Sequence, residues 1–151
     1  LTFLLDVNVL IALLDPAHVS HDAAHHWFET RGRAAWATCP LTENGVIRIV
    51  GHPKYPGTPG SPAMVAALVA RLRTLDGHVF WPDDISLVGE ERIAIGRVLT
   101  SGQVTDTYLL ALAVIHGGWL ASFDRRLAVN TVTGGKAAFH LITERPAGRE
   151  D

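Results

Sequence analysis

Mostly apolar runs of four or five residues recur along the chain: TFLL (2–5), AAWAT (34–38), HVFW (78–81), WLAS (119–122) and AFHLI (138–142). Runs this short, with little polar alternation, suit parallel strands covered on both faces. Between them stand patterns of helical spacing: VNVLIALL (7–14), SHDAAHHWFETRG (20–32), LTENGVIRIV (41–50), SPAMVAALVARLRTL (61–75), LVGEERIAIGRVL (87–99) and TDTYLLALAVIH (105–116). Ser20 and Thr105 are the predicted N-caps of the second and last helices, and Gly117-Gly118 closes the last. The Pro- and Gly-rich stretch HPKYPGTPGSP (52–62) reads as a loop too short to tether two domains. Strand alternating with helix, without internal repeats, predicts one domain over residues 1–151. Its fold class is α/β, a three-layer α/β/α sandwich with a mainly parallel central sheet.

Asp6 breaks the pattern. In LLDVNVLIALLD it sits inside an apolar run, where a desolvated, unpaired carboxylate costs on the order of several kcal/mol. Dividing the run into strand and helix puts Asp6 at the strand's carboxyl end, where open parallel sheets collect ligands. Asp124 follows the strand WLAS, and Asp106 follows Thr105 in the predicted first helical turn, where the helix dipole favours its ionised form. Glu43 lies early in LTENGVIRIV, beside Asn44. Two carboxylates ~5 Å apart repel by roughly 3 kcal/mol at an effective dielectric of ~20. Four of them need a proton or a cation, and oxygen ligands alone favour a hard divalent ion, Mg²⁺ or Mn²⁺. Such an ion lowers the pKa of a bound water and stabilises charge developing on phosphoryl oxygens. Taken singly, Asp106 reads as a helix-start residue, Asp124 as a turn former and Glu43 as a solvated helix position. Only their joint placement points to chemistry.

Composition narrows the setting. Hydrophobic residues make up 48% of the 151 and charged residues 19%, which describes a globular chain with one core. A net charge of -2 gives no global attraction to nucleic acid, so any such contact needs a local patch or metal ions. All the basic residues but Lys54 and Lys136 are Arg, which suits phosphate contacts and also follows from GC-rich coding. Cys39 is the only cysteine, which excludes an intrachain disulfide and a cysteine-rich zinc site. With no signal-like start and no apolar stretch of transmembrane length, a cytoplasmic protein without a membrane partner is expected.

These residues give the chain a resemblance to the PIN-domain ribonucleases, from about Phe3 to Ile142. In length it is similar to the VapC-type toxins of bacterial toxin–antitoxin pairs. The motifs that carry the resemblance are Asp6-Val7-Asn8 after the first strand, Glu43 in LTENG, Asp106 in TDTYLLALA and Ser122-Phe123-Asp124 after a strand. Val7 stands where Thr, Ser or Ala is usual. The resemblance implies the same α/β/α sandwich and a metal-dependent endoribonuclease, with water attacking a phosphodiester to leave a 5′-phosphate and a 3′-hydroxyl. It implies Asp6, Asp106 and Asp124 as ligands of Mg²⁺ or Mn²⁺, and Glu43 as the fourth catalytic acid, holding a second ion or orienting the water. Asn8, Ser122 and Thr105 would support the carboxylates by hydrogen bonds, and Arg48, Arg125 and Arg126 would contact RNA phosphates or an acidic antitoxin segment. A cognate antitoxin and a homodimer are the implied protein partners.

Other features have duller readings. His21 and His25, four apart on a predicted helix with His18, His26 and Asp22 nearby, have zinc spacing but no evident further ligands, so helix packing is preferred. Asp83-Asp84 reads as a turn after Pro82. Two rival functions stand beside the nuclease. One is a PIN-like module that binds RNA or protein without cutting. The other is an aspartate-nucleophile phosphatase of the haloacid dehalogenase type, which needs an acid two residues beyond Asp6, where this chain has Asn8.

Overall fold

A three-residue strand at the N-terminus organises the molecule. The computed structural model describes residues 1–144, so the end of the predicted domain lies outside the described residues. Strand β1 (Phe3–Leu5) buries all three side chains, Phe3 and Leu5 in one core and Leu4 in another, as the two-residue period of a strand requires. The other strands are β2 (Trp36–Thr38), β3 (His78–Phe80), β4 (Trp119–Ser122) and β5 (Phe139–Leu141). They form one sheet in the order β3-β2-β1-β4-β5, with every pairing parallel. All the carboxyl ends therefore share one rim, and those of β2, β1 and β4 are neighbours on it.

Helices α1 (Val7–Leu14), α2 (His21–Thr30), α3 (Pro40–Val50) and α4 (Pro62–Leu72) contribute to the core containing Phe3, Leu5 and Trp36. Helices α5 (Gly102–Ile115) and α6 (Gly135–Ala138) belong to the opposite core, with Leu4, Ala37 and Leu120. The result is the expected three-layer α/β/α sandwich. Helix α1 follows β1 with no loop because Asp6 is its N-cap: the Asp6 carboxylate accepts from the Val7 amide. At Gly45 of α3, an added Cβ would stand 2.9 Å from Val7 Cγ2, so glycine lets the first turn of α1 touch the second turn of α3. Val7, the residue that departs from the motif, packs into that contact.

The structure departs from three element predictions. Residues 87–99 do not form a helix: Ile93 makes an antiparallel bridge with Val132, and only Ile95–Arg97 form a single 3-10 turn. The spacing was misleading because the apolar positions do not share a buried face, with Val88 91% and Leu99 80% exposed. Helix α5 starts at Gly102, not at Thr105, so Thr105 is no N-cap but an exposed residue of the helix. Gln103 turns back to accept from the Leu99 and Thr100 amides, which closes the preceding turn and lets the helix begin early. Ser20 precedes α2 but gives its hydroxyl to Glu144 rather than to the helix.

Candidate active site

Asp6 is 7% exposed, yet it is an acid with partners. Its Oδ1 accepts from the Val7 amide at 2.8 Å and its Oδ2 from the Ser122 hydroxyl at 2.7 Å. Burial raises its pKa, the two hydrogen bonds hold it down, and the Asp124 charge raises it further. Ser122 Oγ in turn accepts from the Asp124 amide at 3.1 Å, so one hydroxyl links the ends of β1 and β4. The Asp124 carboxylate accepts from the Arg126 amide at 2.8 Å, which fixes the turn after β4.

Asp106 faces this pair from α5. Its neighbour Thr107 is fully buried and donates to Thr131 at 2.9 Å, which ties the helix to the segment between β4 and β5. Burial pushes the Asp106 carboxyl up to about 6, and the charges of Asp6 and Asp124 add to the rise. No hydrogen bond among the described residues lowers it. The predicted dipole stabilisation of this acid is overturned: Asp106 is the fifth residue of α5, beyond the free amides of the first turn where the dipole acts.

Glu43 lies on the same rim but in other company. Its Oε2 accepts from the Thr38 hydroxyl at 2.6 Å and its Oε1 from Arg73 Nη1 at 3.1 Å. Thr38 ends β2, and its oxygen is also 2.8 Å from His78 Nε2. Burial lowers the His78 pKa, the Arg73 charge lowers it further, and Glu43 opposes both. Thr38, His78 and Arg73 went unnoticed in the sequence; the one local signal was a hydroxyl at the carboxyl end of a strand beside β1.

Asn8 and Thr105 are exposed and hydrogen-bond none of these carboxylates among the described residues, so the support expected from them is absent. Arg125 and Arg126 are exposed beside Asp124 and join no ion pair among the described residues. Arg48 lines a separate hollow with His52 and Tyr55, away from the shared rim. The helix-packing reading of the histidines has its contacts: His21 Nδ1 meets the Ala12 carbonyl and His25 Nε2 the Leu13 carbonyl, which closes the end of α1. Asp83 accepts from the Leu41 amide and so caps α3.

Could the acids hold a cation? No three His, Cys, Asp or Glu side chains among the described residues close into a ready-made cage. Asp124 is near enough to raise the pKa of Asp6, and both raise that of Asp106; the three acids offer only oxygen. That donor set fits a hard ion that keeps several of its waters, as Mg²⁺ does, rather than one fully enclosed by protein.

A sequence model of the PIN domain family matches residues 3–131, which includes all four acids. The chain belongs to the PIN domain family. Among curated PIN relatives, Ribonuclease VapC44 of Mycobacterium tuberculosis is 42% identical over 140 residues, covering 93% of this chain and 97% of the relative. Ribonuclease VapC39 of the same organism is 42% identical over 134 residues, with 89% and 96% covered. Ribonuclease VapC38 is 39% identical over 144 residues, with 95% and 92% covered. This PIN-domain chain is thus of the VapC type. Among its described residues no helix is long and apolar enough to cross a membrane.

Proposed function

We propose that this PIN-domain protein is a divalent-metal-dependent endoribonuclease, the toxin of a VapC-type toxin–antitoxin pair. The observation that carries the proposal is Asp106: a half-buried carboxylate with a pKa near 6, facing two further acids and accepting no hydrogen bond among the described residues. An arrangement that disfavours its own charge calls for a cation. The name ribonuclease, borne by each relative above, supports RNA as the substrate class.

Asp6, Asp106 and Asp124 would hold the Mg²⁺ or Mn²⁺ ion. When bound, the ion would acidify a water and offset charge on the phosphoryl oxygens. The Val7 amide and Ser122 hydroxyl keep Asp6 in place for that task, and the Arg126 amide does the same for Asp124. Glu43 would orient the attacking water and take its proton. Arg125 and Arg126 would contact backbone phosphates of the RNA. An antitoxin and a second copy of the chain are the partners proposed with this reading.

The test is cleavage of RNA with Mg²⁺ or Mn²⁺, with a chelator, and with Asp106→Asn. Cutting should need the added ion and vanish in the variant. Equal rates with chelator, or in Asp106→Asn, would overturn the reading. The phosphatase alternative is disfavoured because Asn8 stands two residues beyond Asp6, where that chemistry needs an acid, and cannot serve as one.

A further inference from the structure

We propose that Thr38, His78 and Arg73 are positioning residues that hold the Glu43 carboxylate in one orientation for RNA cleavage; the inference rests on the function proposed above. Three observations carry it. The first is that both oxygens of Glu43 are engaged from different elements, Oε2 by Thr38 of β2 and Oε1 by Arg73 just beyond α4. A carboxylate offers about four lone-pair sites, so two remain for a water. Glu43 is only 17% exposed, and it would otherwise rotate about its terminal bond.

The second observation is the direction of the chain of bonds. A threonine hydroxyl has one hydrogen, and Glu43, at 2.6 Å, receives it. His78 must then donate from Nε2 to the Thr38 oxygen. An accepting His78 would leave two lone pairs opposed between Thr38 and Glu43. The order His78 to Thr38 to Glu43 is therefore fixed by the acid at its end.

The third observation is that each supporting side chain is itself held. The His78 ring packs edge-on to the buried Trp36 ring with centroids 4.6 Å apart, and Thr38 is 1% exposed. The Arg73 guanidinium lies 5.1 Å above the Phe80 ring. Such support serves a side chain whose direction matters. Neither Thr38 nor His78 has another hydrogen-bond partner through these atoms among the described residues.

The test measures cleavage of a labelled random-sequence RNA pool in Mg²⁺, at saturating and subsaturating pool concentrations. Thr38→Val should lower the saturating rate 10- to 100-fold, the usual loss when an orienting hydrogen bond is removed, with half-saturation unchanged within about twofold. Thr38→Ser should restore the rate to within about threefold, since it returns the hydroxyl. In a Glu43→Gln background Thr38→Val should slow cleavage no further. If Thr38→Val does not fold, His78→Phe carries the same two comparisons, because it keeps the ring against Trp36 and removes the donor. Wild-type rates in Thr38→Val and His78→Phe, an equal further loss on top of Glu43→Gln, or faster cutting by Arg73→Ala would each overturn the inference. A wild type that cuts beside an inactive Asp106→Asn leaves the proposed function standing in those cases. A wild type that does not cut removes both.

Discussion

Asp106 links stability and chemistry in opposite directions. Its carboxyl titrates near 6 against an ordinary 3.8, because burial and two neighbouring acids disfavour the charge. Between those values the folded chain binds protons that the unfolded chain has released, so this group's contribution to stability falls as pH rises from about 4 to 6. Above pH 6 the metal-free protein carries the full cost, about 1 kcal/mol after allowance for the solvent that reaches a half-buried group. Asp106→Asn should therefore be about 1 kcal/mol more stable than metal-free wild type at pH 7.5 in urea denaturation, with the gap closing near pH 4. The same variant should be inactive on RNA. For wild type at subsaturating Mg²⁺, the cleavage rate should rise with pH through about 6, because below it the ion must displace the Asp106 proton to bind. The candidacy of Asp106 as a site residue was legible in the sequence from its order among the other acids. Its electrostatics were not, because one residue string gave no sign that α5 starts a turn early at Gly102.

At the scale of elements, α1 and α3, which follow the paired strands β1 and β2, touch where Gly45 meets Val7. Gly45→Ala would improve the helix by about 1 kcal/mol on propensity alone. It would also drive a methyl to within 2.9 Å of Val7 Cγ2, and overpacking costs about 1–3 kcal/mol. Gly45→Ala should thus be neutral to destabilising, by up to about 2 kcal/mol, and adding Val7→Ala should relieve the clash; thermal unfolding of the single and double variants checks both. Strands were the most legible elements. TFLL and WLAS needed no partner to be recognised, since burial on both faces leaves an uninterrupted apolar run. Residues 87–99 misled because spacing reports periodicity and not burial: Ile93 alone of that stretch is buried, with Leu87 packed against the edge of the core.

For the whole molecule, a divalent ion should act as a folding ligand. Mg²⁺ at about 100 times its dissociation constant should stabilise the chain by about 2.7 kcal/mol at pH 7.5. The gain should shrink at pH 5, where Asp106 holds its proton, and in Asp106→Asn; melting curves with and without chelator would show it. An equal gain in the variant would argue against a shared site. The partners of Glu43 belong to this scale too. Arg73 is 30 residues from Glu43, and His78 is 40 from Thr38; only the placement of β3 beside β2 brings them together. No local pattern could announce that.

The hydroxyl that steadies Asp6 stands 116 residues further along the chain. Translation makes the aspartate 116 residues before its Ser122 support. A ribosome producing this polypeptide thus carries an unfinished product whose acids are still apart, and the molecules doing the making are spared until β4 has emerged and lain down beside β1. For a protein proposed to destroy RNA, the order of synthesis is itself a safety catch.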